Sequence, residues 1–181
     1  AHDGHPSTVL SMLPAEFGER PQAVYGVSVL GEQVDAAFAD TVLARWGCHV
    51  VFAKSSASFL SLQSAYRAAP EQLGVDRWLG LIASARDCEV ICVVGCGTAV
   101  TIDVVDGMLH RGGYILPGLA LMESTLQRGT RKVRYDEGEA ANISLGVHTG
   151  AAVRNGALAA VVALIEKVAH GHAAKHVVLT G

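Results

Sequence analysis

Apolar and polar positions along this chain follow two periods. Val34, Phe38, Val42 and Trp46 recur every four residues within Gly31–Gly47, the stripe of an amphipathic helix. Before it Ala23–Leu30 (AVYGVSVL) predicts a buried strand, and after it Cys48–Ala53 predicts a short one. Ser55–Ser64 is Ser-rich and leads through Tyr66 to Pro70, which predicts an irregular surface segment. Trp78–Arg86 predicts a short apolar helix. Two β-rich runs, Glu89–Val94 and Ala99–Val105, are broken by Gly95-Cys96-Gly97-Thr98 and form a hairpin. A tight turn at Asp106-Gly107 leads to a strand over Leu109–Leu116, and Pro117-Gly118 stops it and starts a helix to about Gln127. Gly129–His148 is polar and turn-rich, hence a loop. Thr149–Val168 carries Val153, Ala157, Val161, Leu164 and Val168 on one helical face, and His176–Thr180 begins another strand.

Three β-runs joined by tight turns, followed by two helices and a strand, imply a mixed sheet with helices packed on it. The chain opens in a polar stretch and stops at the close of a strand, the expected look of part of a larger fold. Its 181 residues, half of them hydrophobic and 17% charged, suit one large domain or two small ones with a sizeable core. A net charge of −3 gives no reason to expect a nucleic-acid partner. No apolar run approaches the roughly 20 residues that cross a bilayer. Ala1–Ser11 has neither a basic nor an apolar leader region, so no membrane association and a cytoplasmic location are expected.

Of the four cysteines, Cys88, Cys92 and Cys96 recur every four residues and would share one face of a strand. Zinc sites use closer pairs, so buried free thiols are expected here and at Cys48, and no metal site. The histidines read as surface residues: His2 and His5 in a polar stretch, His170, His172 and His176 around a helix end.

Three clusters carry candidate chemistry. The Gly95–Thr98 turn can aim backbone N–H groups and the Thr98 hydroxyl outward to hold phosphate oxygens, though taken alone it reads as a plain hairpin. In Leu73-Gly74-Val75-Asp76-Arg77-Trp78 a carboxylate that accepts an alcohol proton sits beside a guanidinium that can fork onto an anion. On spacing alone the plainer reading is a helix N-terminus with an acid in its first turn and a solvated Arg. Arg111-Gly112-Gly113-Tyr114-Ile115-Leu116-Pro117-Gly118 is, by itself, a strand bracketed by turn glycines.

Together and in this order, G-V-D-R-W, G-T-A-V-T-I-D and G-G-Y-I-L-P-G resemble the type III pantothenate kinases. The resemblance continues through Thr125, Thr130–Tyr135 and Gly146-Val147-His148-Thr149, from about Tyr66 to Gly181 and more loosely back to Ala23. It implies an α/β chain of the actin-like ATPase (ribonuclease H-like) fold, two related mixed-sheet domains around a cleft. Residues 1–86 would carry the substrate motif, and 87–181 the second phosphate hairpin and the dimer helices. It further implies ATP-dependent phosphorylation of pantothenate, the first step of coenzyme A synthesis, by a homodimer using ATP with Mg²⁺. By resemblance Asp76 is the proton acceptor, and Tyr66, Gly74, Val75, Asp76 and Arg77 bind pantothenate. Thr149 reaches the site from the partner subunit, and Gly97 and Thr98 bind ATP.

The chain departs from that pattern in three places. Gly95 stands where the family usually has an Asp that helps hold a monovalent cation, potassium or ammonium, and offers only a carbonyl. No D-x-G-N-[ST] loop occurs in Ala1–Ala23, and the family's Gly-rich nucleotide-side segment beyond Val177–Thr180 is not in the sequence. Gly95 and the missing first loop favour, as the alternative, a non-catalytic accessory or regulatory binding protein of the same fold. A metal–thiolate protein built on Cys88, Cys92 and Cys96 is a third reading.

Overall fold

The computed structural model describes residues 21–130, 133–135, 138 and 140–181. They fall into two compact units. One takes in the described residues up to Ser55 with Leu73–Asp76, the other Ser56–Gln72 with Arg77–Gly181.

In the first unit β1 (Val24–Gly26) and β2 (Val50–Phe52) pair in parallel across helix α1 (Glu32–Trp46). The Phe38 ring of the helical stripe meets Phe52 edge-on at 6.4 Å, and Val42 is fully buried. Both strands are shorter than their apolar runs. The ladder ends at the Gly26–Phe52 pair, and beyond it Val27 and Val29 lie 55% and 64% exposed. An apolar run without a paired backbone does not remain a strand.

The second unit is built on a six-stranded mixed sheet of order β3-β4-β7-β6-β5-β8. Its strands are β3 (Ser58–Phe59), β4 (Leu62–Gln63), β5 (Val90–Cys96), β6 (Ala99–Asp106), β7 (Leu109–Pro117) and β8 (His176–Thr180). β5, β6 and β7 run antiparallel in succession, while β8 joins β5 and β4 joins β7 in parallel. The expected hairpin, the following strand and β8 are all present. The Ser-rich segment, read as irregular, instead forms the small β3–β4 hairpin.

β5 is buried on both faces over Ile91–Val94, as a central strand must be. On one face Cys92, Val94, Val100, Ile102 and Val104 pack against Val161 and Val168 of helix α4 (Thr149–Gly171), with Leu164 beside them. Helix α3 (Leu119–Gly129) adds Leu119 and Met122 to that cluster. Helix α2 (Val75–Ser84) lies against the other face, where a Cβ at Gly80 would stand 3.6 Å from Val93. It starts three residues earlier than its apolar run and so includes the acid and the Arg of the G-V-D-R motif.

The cysteines correct the expectation of one buried row. Only Cys92 is buried, Cys48 is half-buried, and Cys88 and Cys96 are exposed. Cys88 lies before β5 with a φ of 61°, outside the regular alternation, and Cys96 ends the strand at the hairpin tip. Among the described residues no three His, Cys, Asp or Glu converge as a metal site, and no helix is long and apolar enough to cross a membrane.

Candidate active site

A carboxylate in the middle of an apolar strand needs partners, because an isolated buried charge is costly. Asp103 sits between Ile102 and Val104 on β6 and is 2% exposed. Its Oδ2 accepts from Arg77 Nε at 2.9 Å and its Oδ1 from Arg77 Nη2 at 2.6 Å, a two-point ion pair. His110 Nε2 lies 2.9 Å from the same Oδ1. The other ring nitrogen, Nδ1, is 3.4 Å from the Ala65 N–H and accepts from it, so the ring is the neutral Nε2–H tautomer and donates to Asp103. Tyr66 closes the group: its ring stacks on His110 at 6.1 Å with 4° between planes, and the Arg77 guanidinium lies 5.8 Å over it and hydrogen-bonds its side chain.

Local structure explains why these four residues meet. Gly113 is the cross-strand partner of Asp103, and a Cβ there would stand 2.4 Å from Asp103 Oδ1 and 2.2 Å from the Ile102 carbonyl. Only glycine leaves room for the carboxylate. An irregularity between Val104 and Val105 gives β7 one extra residue, pairing Val104 with Gly112 and Val105 with His110. Positions 110 and 113 would otherwise face opposite sides of the sheet; the bulge puts both on the Asp103 side. Tyr66 is held by its own N–H on the Ser64 hydroxyl at 3.0 Å, and β4 is tied to β7 by the Gln63 N–H on the Met108 carbonyl at 2.9 Å.

Burial alone would raise the Asp103 pKa, but hydrogen bonds from His110 and Arg77 and the guanidinium charge outweigh it and hold the carboxyl below its ordinary range. Burial likewise opposes the Arg77 charge, and the contacts to Asp103 and Tyr66 overcome it, raising its pKa. The Cys92 thiol is pushed up by burial and, second, by the Asp103 charge, so it is inert as a nucleophile.

The other motif residues lead into Arg77 along the chain. Gly74 precedes α2, Val75 begins it with its side chain buried, and Asp76 is exposed in the first turn. The Ser55 hydroxyl fixes the preceding Leu73 carbonyl at 2.7 Å. Arg77 is not the solvated residue of the plainer reading: it is 7% exposed, and the forked edge expected to face a substrate anion meets Asp103. His110 is likewise no surface residue, being 1% exposed, whereas His170, His172 and His176 are exposed and His2 and His5 lie outside the described residues. Neither Asp103 nor His110 was expected at a site. The signal was present, an acid inside a strand with apolar neighbours on both sides.

Gly97 and Thr98 form the exposed tip of the β5–β6 hairpin. The Thr98 carbonyl accepts from the Gly118 N–H at 2.8 Å, and a Cβ on Gly118 would stand 2.2 Å from the Gly97 carbonyl. The tip is thereby seated against the first turn of α3. From Ala99 to Asp103 the strand covers about 13 Å. Thr149 lies elsewhere, exposed at the start of α4. It lines an apolar groove of about 700 Å³ between α3 and α4, with Met122, Leu126, Val153 and Ala157. Asn155, buried on α4, fixes the approach to Thr149 by accepting from the Asn142 N–H at 3.0 Å and donating to the Ser144 carbonyl at 2.9 Å.

The chain is thus mixed α/β with a seated Gly–Thr hairpin, an exposed acid at a helix start and a buried Arg–Asp–His group. The type III pantothenate kinase family model matches residues 3–171, and the chain belongs to that family. The type III pantothenate kinase of Psychrobacter cryohalolentis is 35% identical over 177 residues, covering 97% of this chain and 72% of that protein. That of Acinetobacter baylyi is 34% identical over 180 residues, 99% of this chain and 73% of the other. One from Acinetobacter baumannii is 41% identical over 132 residues, 73% and 53% of the two chains. Among solved structures, a conserved Baf family protein of Campylobacter jejuni superposes with a TM-score of 0.59 at 20% identity over 89% of this chain and 69% of that one, a likeness of fold.

The Asp103 linkage has a definite sign. Its folded pKa is depressed, so the ionised form binds the fold; the stabilisation is present above the unfolded value of about 3.9 and is lost as pH falls through the folded pKa. Asp103→Asn should cost about 3–5 kcal/mol at neutral pH, since it leaves the Arg77 charge buried without its partner. Urea melts of both proteins from pH 7 to pH 3 should show that gap narrowing at the acid end. A gap independent of pH would remove the ionised pair from the account.

Proposed function

We propose that the chain carries ATP-dependent phosphorylation of pantothenate to 4'-phosphopantothenate, the first step of coenzyme A biosynthesis, on an actin-like ATPase fold. What carries the reading is the joint presence, in a member of this family, of a G-V-D-R motif whose Arg77 is anchored by Asp103 and the Gly97–Thr98 tip seated on Gly118. The curated relatives above are named as kinases and lend no support to a non-catalytic accessory role.

Phosphoryl transfer asks a protein mainly for positioning and charge neutralisation. The Gly97 N–H closes the turn on the Ala99 carbonyl at 3.0 Å, and the exposed Thr98 at that tip, beside the N-terminus of α3, suits phosphate oxygens of ATP. Mg²⁺ carried in with ATP would neutralise phosphate charge. Pantothenate lies against Tyr66, Gly74, Val75 and Arg77. The ion pair with Asp103 offsets the Arg77 charge, so Arg77 receives the substrate carboxylate through oriented N–H vectors. Asp76 takes the hydroxyl proton as that oxygen bonds to the γ-phosphorus, and the bond to the β-phosphate oxygen breaks to release ADP.

A monovalent cation has little to hold it at Gly95. The side chains around that position are the Thr101 and Thr180 hydroxyls, and a Cβ there would already stand 2.7 Å from Thr101 Oγ1. The loss of a carboxylate removes the main electrostatic reason for potassium or ammonium.

A homodimer completes the site. The apolar groove between α3 and α4 and the exposed Ile143, Leu145 and Val147 (74%, 96% and 95%) form the kind of surface that subunits cover, and Thr149 stands at its edge.

Asp76→Asn keeps the side chain's shape and removes the proton acceptor. Turnover of pantothenate should fall about 10²–10⁴-fold in a coupled ADP assay, with pantothenate binding largely retained. Near-normal turnover would take Asp76 out of the role, and absence of pantothenate-dependent ADP release from the unaltered protein would overturn the activity itself.

The shared site has its own test. Subunits carrying Asp76→Asn mixed with subunits carrying Thr149→Val should regain activity, since one site in each heterodimer is then built from intact halves. A monomeric mass in sedimentation, or no recovery on mixing, counts against it.

A further inference from the structure

We propose that Asp103 and His110 are positioning residues for the transfer, acting through Arg77 on the substrate turn Gly74–Arg77; this rests on the reading of that turn as the pantothenate site. Neither residue belongs to the groups assigned above to substrate, nucleotide or proton transfer. Their geometry is that of a jig. Asp103 uses both oxygens, Oδ2 on Arg77 Nε and Oδ1 on Arg77 Nη2 and His110 Nε2. His110 is in turn fixed at both ring nitrogens, by Asp103 and by the Ala65 N–H, and on its face by Tyr66. A guanidinium bound along one edge has its plane set, and with it the direction of every N–H vector on that plane.

The strand pair is shaped around this arrangement. The bulge near His110 and the bare Cα of Gly113 exist at the two positions that the Asp103 carboxylate needs. A core role alone would not call for it, because well-packed apolar residues replace buried ion pairs at no loss of stability. What an apolar set cannot do is hold the first turn of α2 to the sheet at one rotational setting. Asp76 is the residue before Arg77 in that turn, and small errors in placing a reacting group cost large factors in rate.

The test is steady-state kinetics on the full chain, varying pantothenate and ATP separately, with Asp103→Asn, His110→Leu and His110→Gln. Glutamine keeps an N–H near the place of Nε2, and leucine does not. Asp103→Asn and His110→Leu should raise the pantothenate KM about tenfold or more and leave the ATP KM within about twofold, and His110→Gln should recover most of the loss. A merely structural role would lower the folded fraction, and so kcat, with both KM values unchanged. That outcome overturns the proposal, as does a parallel rise in both KM values or a glutamine variant no better than leucine. Loss of the folded state in all three variants overturns it too, since it would assign the group to stability alone. Failure of the unaltered protein to phosphorylate pantothenate is a separate result and strikes the parent reading.

Discussion

The ion pair between Arg77 and Asp103 is the constraint around which the second unit is arranged. A carboxylate 2% exposed on a central strand can persist only if every lone pair that matters is engaged, and here three N–H groups engage it. That requirement propagates outward. It dictates glycine at position 113, an extra residue in β7, a buried neutral histidine at 110, and an arginine in the first turn of α2. Each of these looks unremarkable by itself in the sequence, and each is explained once the carboxylate is placed.

A second constraint acts at the other end of β6. The Gly97–Thr98 tip is fixed by the Gly118 N–H and by the absence of any side chain there, so the turn that suits phosphate and the start of α3 form one piece. β6 then spans from that tip to Asp103 as a rigid, hydrogen-bonded ruler in the middle of the sheet. Function in this family needs a nucleotide phosphate and an alcohol brought together. Under the proposed function a single strand connects the two holding points and keeps their separation constant while side chains at either end adjust.

Much of this was legible in the chain. The hairpin, β7, both long helices and β8 follow from periodicity and from the punctuation at Gly97, Gly107 and Gly118, because these elements are long enough for one face to be read. The β3–β4 hairpin was not: two-residue strands carry no period, and its pairing depends on β7 far along the chain. Ala23–Leu30 was over-read since an apolar run shows the capacity to be buried but not the length of the partner strand. At the candidate site, the expectation for Asp76, Arg77, Gly97 and Thr98 comes from motif order. His110 was missed because surface histidines near helix ends, such as His170 and His172, set the expectation for a residue whose burial depends on a bulge. Arg77 was expected to face solvent or substrate; its main partner, Asp103, lies 26 residues away and is chosen by tertiary packing that no local pattern encodes.

In the proposed site a guanidinium whose plane is set by Asp103 recognises the substrate carboxylate. Calorimetric titration of pantothenate into the unaltered protein and into Arg77→Lys tests this, since lysine keeps the charge and loses the planar guanidinium that Asp103 orients. The account predicts binding weakened about tenfold or more in the lysine variant, with the fold intact by circular dichroism. Equal affinity in the two proteins would contradict it.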